Sequence, residues 1–513
     1  MSNPEESNSR FAPLEMDSEE FRRLGRRMVD RIADFLASLS GRKVTPGETP
    51  HQLRKILGDG PLPQSGAPAE GLLDEAAELL IEHSLFNGHA RFWGYITSSA
   101  APIGALADLL ASAVNPNVGA FGLAPMATEI ELQTLRWIAE MIGFPANGGG
   151  VLVSGGNMAN FVGFLAARRA KAPWDIPAAG GSGGPKLCAY ASEETHTWVK
   201  KAADLFGLGT ESLRLIPVDS RYRLRIDALR DAIRDDRAAG HVPFLIVGTA
   251  GSVSTGAVDP LPAIAEIAAR EKLWFHVDGA YGALAAVLPD ASADLRGLSL
   301  ADSVAVDPHK WLYAPVEAGC TLVRDRKALE NTFAHRPPYY HFEEDDGAVN
   351  FYERGPQNSR GFRALKVWLG LRQAGREGYV RMIADDIALG RRLFEKAAGT
   401  AEIETFTNDL SIATFRFVPE RLAKSGTESV EYLNALNTEL LDRLQNGGEA
   451  YVSNAVLNGR FVLRACVVNF RTRAADVDSL PGLIVRLGRE VDREREGKPS
   501  TEAGIQGRRA TNA

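Results

Sequence analysis

From about residue 150 to residue 325 the chain alternates short apolar runs with longer amphipathic stretches. The runs at 151–153, 187–191, 213–216, 244–249, 273–278, 303–306 and 320–323 are rich in Val, Leu, Ile and Phe. Gly, Pro, Asp and Ser bound most of them, which predicts buried strands. The stretches 157–171, 194–206, 227–238 and 261–271 between them carry apolar residues at helical spacing. Alternating strands and helices predict an α/β protein with a mostly parallel, doubly wound sheet. Ligands of such sheets bind beyond the carboxyl ends of the strands.

Residues 1–15 are polar and predicted disordered. Asp17 with Glu20 makes a capping pair, and a helix follows with Phe21, Leu24, Met28, Ile32, Phe35, Leu36 and Leu39 on one face. Arg22, Arg23, Arg26 and Arg27 lie opposite and read as a solvated face. A second helix spans roughly 70–85, after the Pro/Gly loop Gly58–Pro68. Two helices make no core alone, so they are expected to dock on the main body or on another subunit. Residues 91–99 are aromatic, then small: either plain core or pocket lining. A helix is predicted over 125–142, from Leu132, Leu135, Ile138 and Ile142. The glycine-rich Ala178–Gly184 precedes a strand and reads as a flexible loop. Residues 335–360 have no clear periodicity and read as a mobile lid. A long helix begins near Arg363, and strands at 411–417 and 461–469 lie in a mixed region. The expected domains are an N-terminal helical segment (1–90), a large domain (91–370), a small C-terminal domain (371–490) and a disordered tail (491–513).

The 513 residues suffice for a large core, and 45% hydrophobic content is ordinary for a globular protein. A net charge of −7 gives no argument for nucleic acid or an anionic membrane. Cys188, Cys320 and Cys466 lie far apart in apolar runs, which predicts buried thiols and neither a disulfide framework nor a metal site. Met1–Arg10 lacks an apolar core, and no apolar run reaches the roughly 20 residues of a membrane span, so the expected compartment is the cytoplasm.

The candidate chemistry sits at the strand ends. The strand 303–306 stops at Asp307-Pro308, and His309 and Lys310 follow among apolar and aromatic residues. A lysine there is unusual, since lysines are normally solvated. The strand 151–153 runs into Ser154-Gly155-Gly156-Asn157 and a helix, whose N-terminus suits an anion. The strand at 187–191 leads to His196, either a structural histidine or one that stacks on a flat ring. The strand 273–278 ends in Asp278, followed by the small Gly279 and Ala280, which let a ring lie close. An anion cradle, a stacking histidine, a buried aspartate and a buried lysine together describe a pyridoxal 5′-phosphate site. Lys310 forms the Schiff base, Asp278 keeps the pyridine nitrogen protonated, and the helix N-terminus holds the phosphate.

These residues carry a family resemblance. Asp307-Pro308-His309-Lys310-Trp311, His276-Val277-Asp278-Gly279-Ala280-Tyr281 and Gly251-Ser252-Val253-Ser254-Thr255-Gly256-Ala257 resemble the pyridoxal-phosphate-dependent group II decarboxylases, most closely the aromatic-L-amino-acid decarboxylase branch. Phe461-Val462-Leu463-Arg464 and Arg471-Thr472 add to it. The resemblance runs from about Asp17 to Arg473 and implies fold type I: a large, mainly parallel seven-stranded domain, a small C-terminal domain and an N-terminal segment wrapped on a partner subunit. It thus implies a homodimer with active sites at the interface. It also implies cofactor contacts from Gly156, Asn157, His196, Ser252, Asp278, Ala280, Asp307, His309 and Lys310. Catalytic roles fall to Lys310, His196 and Tyr339, with Tyr340 the adjacent alternative. Ser98 and Ser359 are implied on the substrate, while Phe92, Trp93, Tyr95 and Phe121 suggest an aromatic substrate pocket, with plain core as the alternative. Ser359 occupies a position that separates phenolic from indolic substrates in similar plant enzymes, and a serine leans to the phenolic. Two departures stand out: Val253 where a hydroxyl is common, which shifts that contact to Ser252, and Asn157 for a common serine or threonine.

The expected reaction is decarboxylation of an aromatic L-amino acid to its amine and carbon dioxide, with Tyr339 or His196 returning the proton. The alternatives are aldehyde synthesis, an acidic amino-acid substrate, aminotransfer or carbon–sulfur chemistry on the same fold, and a catalytically silent binding protein. Tyr339 argues against the first, because aldehyde-forming members often carry phenylalanine there.

Overall fold

The computed structural model describes residues 12–335, 347–425 and 429–496. The chain opens with α1 (Ser18–Ser38), started by Asp17, whose carboxylate accepts the backbone N–H groups of Glu19 and Glu20 at 2.9 and 2.8 Å. Next come α2 (Pro50–Leu57), begun by a Thr49–Gln52 capping box, and α3 (Ala69–Glu82). The arginine face of α1 is less solvated than its pattern implied. Arg23, Arg27 and Arg31 pair with Glu70 and Asp74 of α3. The apolar face is the open one: Leu24 is buried, whereas Phe21, Val29 and Ile32 are exposed.

The strand β1 (Phe92–Trp93) corrects the expected start of the large domain at residue 91. It pairs in parallel with a strand of the small domain, and Trp93 is fully buried in that domain's core. Its indole donates to Thr472 Oγ1 at 3.2 Å. Phe92 and Trp93 are therefore core, while Tyr95 is not. The helices α4 (Pro102–Val114) and α5 (Pro125–Met141) pack against a long helix, Ala364–Ala398.

The large sheet holds β2 (Gly149–Val153), β3 (Leu187–Ser192), β4 (Leu213–Ile216), β5 (Val242–Thr249), β6 (Trp274–Asp278), β7 (Ser303–Val306) and β8 (Gly319–Val323). The order is β2-β8-β7-β6-β5-β3-β4. β8 runs antiparallel to both neighbours and the other pairings are parallel, as predicted for a mainly parallel seven-stranded sheet. Helices cover both faces, so the central strands are buried on both sides and read as continuous apolar runs. The helix α6 (Gly156–Lys171) lies across β5 to β8. The predicted helix 194–206 is shorter, Trp198–Leu205. Ser192 turns the chain first, through its carbonyl to Thr195 N (3.0 Å) and its hydroxyl to Glu194 N (3.0 Å).

The Ala364–Ala398 helix crosses the expected domain boundary at 370, and its break is at Gly375 (φ 63°). The small domain carries β9 (Ile403–Asp409), β10 (Ile412–Phe417), β11 (Tyr451–Leu457) and β12 (Arg460–Cys466), in the order β1-β11-β12-β10-β9. Its last helix, Ala474–Glu496, runs into the stretch expected to be disordered. Val491 is buried there, and Asp492 accepts from Arg421 (2.7 Å) and Tyr432 (2.6 Å). The described end of the expected lid is also packed, with Phe351, Tyr352 and Arg360 buried. Residues 1–11 and the rest of the expected tail lie outside the described residues. The three cysteines are buried and unbridged. Among the described residues, no helix is long and apolar enough to cross a membrane.

Candidate active site

The loops after β2, β3, β5, β6 and β7 converge on one cavity of about 470 Å³. The short link from β7 back to β8 places Lys310 beside Asp307, with Nζ 3.0 Å from Oδ2. Asp307 is buried, and its Oδ1 has no hydrogen-bond partner among the described residues. His309 Nε2 lies 3.7 Å from the same carboxylate, while its Nδ1 meets the Ala318 carbonyl at 2.6 Å.

β2 delivers the anion cradle. Gly155 takes φ 125°, a conformation open chiefly to glycine, and no side chain caps α6. Gly156 is required by proximity: a Cβ there would lie 2.6 Å from Asp307 Oδ2. The helix start has no side-chain cap among the described residues and lines the cavity, and the first N–H groups of a helix have no partner within it. Asp278 closes β6 with its carboxylate buried, accepting the Trp198 indole N–H at 2.7 Å and the Ala280 N–H at 3.3 Å. His196 sits across from it. Burial lowers its pKa below the usual histidine value, and the Lys310 cation adds to this against the pull of Asp278. Its Nδ1 accepts the Trp198 backbone N–H at 3.3 Å, which leaves the ring proton on Nε2.

Gly156, Asn157, His196, Asp278, Ala280, Asp307, His309 and Lys310 all line this cavity. Ser252 does not: its hydroxyl is held by Thr255 Oγ1 at 2.8 Å, and Val253 faces the cavity instead. Ser98 is buried beneath the site and donates to the His309 carbonyl at 2.7 Å. Tyr95, Phe121 and Ser359 are not brought to the cavity of their own chain. Tyr95 turns outward at φ 51° with its N–H on Ser453 Oγ. Phe121 and Ser359 lie on two loops clamped together by Arg360, whose carbonyl accepts Val118 N at 2.9 Å and whose guanidinium holds the Val118 carbonyl at 2.7 Å. Tyr339 and Tyr340 lie outside the described residues.

Sequence reasoning missed Thr249, Trp198 and Glu317. Thr249 closes β5 and was findable by the strand-end rule. Trp198 reaches the site only because the chain turns before its helix begins. Glu317 lines the cavity mouth and pairs with Arg363 at 3.0 Å.

These residues fit pyridoxal phosphate: an amine for its aldehyde, a carboxylate for its ring nitrogen, an imidazole for its face and a bare helix start for its phosphate. Fold and site together define a pyridoxal-phosphate-dependent enzyme built on a mainly parallel seven-stranded domain. The chain belongs to the family described as the pyridoxal-dependent decarboxylase conserved domain, whose family model matches residues 50–417. It is 33% identical to an aromatic-L-amino-acid decarboxylase of Bacillus atrophaeus, over 93% of this chain and 97% of that protein. It is 32% identical to tyrosine decarboxylase 2 of Arabidopsis thaliana, over 88% and 84%. The crystal structure of Oryza sativa TDC with PLP and tryptamine superposes with a TM-score of 0.86 at 30% identity, covering 94% of this chain and 99% of that one. The protein is a pyridoxal-phosphate-dependent amino-acid decarboxylase, a lyase.

Proposed function

We propose that the protein decarboxylates an aromatic L-amino acid to the corresponding amine. The observation that carries this reading is the convergence of Lys310, Asp278, His196 and the Gly155–Gly156 cradle on one cavity. The substrate class rests on the names of the relatives above. When bound, pyridoxal phosphate supplies the electron sink for the pair released with carbon dioxide.

The chain's own residues divide the work. Lys310 is the attachment point, and Asp307, 3.0 Å from its Nζ, positions it. Asp278, its carboxylate fixed by two donors, would hold the ring nitrogen of the cofactor. His196 is neutral, because its buried cation is disfavoured, and it presents Nε2–H to the cavity. That makes it a proton donor at a defined atom, and Tyr339 is the other candidate for returning the proton. General acid catalysis contributes about 10²–10⁴-fold, so Tyr339→Phe should slow turnover while cofactor binding persists.

The working unit is a homodimer. In support, α4 exposes Leu106, Leu109, Leu110 and Val114, and Leu123 and Met126 continue the same apolar character. Phe21, Val29 and Ile32 of α1 are exposed as well, and exposed apolar side chains of this kind are what a subunit contact would cover. Tyr95, Phe121 and Ser359 remain candidate substrate contacts, and Ser359 favours a phenolic substrate.

The test is a panel of tyrosine, L-DOPA, phenylalanine, tryptophan, histidine, glutamate and aspartate, with amine, carbon dioxide, ammonia and peroxide measured. Aromatic substrates should give amine and carbon dioxide alone. Turnover of acidic substrates only would overturn the reading, and ammonia with peroxide would replace it by aldehyde synthesis. Lys310→Ala should abolish turnover and the visible absorbance of the bound cofactor.

A further inference from the structure

Asp278 is only 7% exposed, so its charge depends on fixed donors. The shorter of the two contacts is the indole N–H of Trp198 on Oδ2, at 2.7 Å against 3.3 Å for Ala280 N on Oδ1. An N–H donated to an ionised carboxylate is the stronger class of hydrogen bond. Trp198 is fully buried and stands edge-on to His276, with centroids 5.8 Å apart and planes at 82°.

His276 is itself clamped. Its Nδ1 meets Ser303 Oγ at 2.7 Å and its Nε2 meets Asn160 Oδ1 at 2.8 Å. Gly163 of α6 leaves space for it, since a Cβ there would lie 2.6 Å from His276 Cε1. The indole therefore rests on a ring that has no freedom to turn. The backbone of the same Trp198 donates to His196 Nδ1 at 3.3 Å. One residue thus holds both the carboxylate and the imidazole of the site.

We propose that Trp198 is a positioning residue of the decarboxylation: its indole N–H locks Oδ2 of Asp278, so that the carboxylate's remaining lone pairs stay aimed into the cavity at the cofactor's ring nitrogen. This rests on Asp278 being the group at that nitrogen. The chemical type of the donor matters. An arginine or lysine at this place would compete with a protonated ring nitrogen for the same negative charge. A neutral indole stabilises the anion and leaves its charge available.

The experiment uses the holoenzyme and the variants Trp198→Phe, Trp198→His and Asp278→Asn. The readouts are kcat, KM, thermal unfolding and the pH titration of the bound cofactor's visible absorbance band. Loss of one hydrogen bond to a charged group predicts a kcat for Trp198→Phe lower by about 10- to 100-fold. KM should stay within about threefold, because the loss falls on the reacting state. The pH midpoint of the band should shift, and Trp198→His, which keeps a ring N–H, should recover part of both. Unchanged kcat and midpoint in Trp198→Phe, even with a lower melting temperature, would make Trp198 merely structural and overturn the proposal. If Trp198→Phe does not fold, Trp198→His is compared with Trp198→Met: equal kcat and midpoint overturn it, and a lower kcat in the methionine variant supports it. Asp278→Asn separates the two levels. If it keeps wild-type kcat and spectrum, the Asp278 assignment itself is wrong; if it collapses while Trp198→Phe is normal, only the role of Trp198 falls.

Discussion

Alanine at position 156 is the sharpest test of the anion cradle. The added Cβ would sit 2.6 Å from Asp307 Oδ2 and 3.2 Å from both Cγ and Oδ1. Asp307 is no loose end: it is 1% exposed, and Oδ2 holds Lys310 Nζ at 3.0 Å. Relief requires the carboxylate to turn away by several tenths of an ångström and to loosen its lysine. Overpacking of this kind costs about 1–3 kcal/mol. Against that, Gly156 has ordinary helical geometry, and alanine gains up to about 1 kcal/mol there in helix propensity. The empty site can relax by moving Asp307, whereas the loaded site needs Asp307 and Lys310 in place. Folding of the empty protein therefore changes little, and the strain falls on cofactor binding. If the full 1–3 kcal/mol is expressed there, affinity for pyridoxal phosphate drops about 5- to 150-fold. The assay is titration of cofactor-free Gly156→Ala protein with pyridoxal phosphate, followed by absorbance, beside a thermal melt. Wild-type affinity with a wild-type melt would refute the reasoning, because Asp307 would then have moved at no cost.

Glu131→Gln should destabilise the protein by about 3–5 kcal/mol in urea unfolding, since Arg360 and Glu131 form a fully buried ion pair at 2.5 Å and the variant strands the guanidinium charge. A change below about 1 kcal/mol would show that the carbonyls of Val118 and Leu152 suffice to hold Arg360. Burial lowers the pKa of His276 to about 4, opposed only by Asp278. Between its ordinary 6.5 and about 4 the unfolded chain binds a proton that the folded chain refuses. Stability should therefore fall as pH drops through that window, by at most about 1.4 kcal/mol per unit from this group, and His276→Gln should flatten the urea midpoint against pH. Leu109→Glu with Leu110→Glu should turn a dimer into monomers in sedimentation; an unchanged mass would place the subunit contact elsewhere.

All seven large-domain strands were legible, because a strand buried on both faces is written as a short apolar run with polar stops. The strand ends then gave up Asn157, His196, Asp278 and Lys310, since chemistry at such a sheet collects at carboxyl edges. Partner choice was not legible. Nothing local tells Phe92 and Trp93 to pair with β11, some 360 residues away, so the domain boundary was misplaced. The helix end near Asp492 was also missed. A charged segment reads as a tail until Arg421 and Tyr432 are found holding it.

By itself the sequence determined the fold class, the cofactor and the residues at four strand ends, because each depends on a local pattern. Tertiary structure decided which side chains meet. It turned the Ser252 hydroxyl to Thr255, sent Tyr95 outward, and kept Phe121 and Ser359 out of their own chain's cavity. It also brought the indole of Trp198 to Asp278, across 80 residues of chain. The physical reason is the range of the forces. Burial and periodicity act along a few residues and leave a readable trace, whereas a hydrogen bond between distant segments is fixed only when the whole sheet has set their separation.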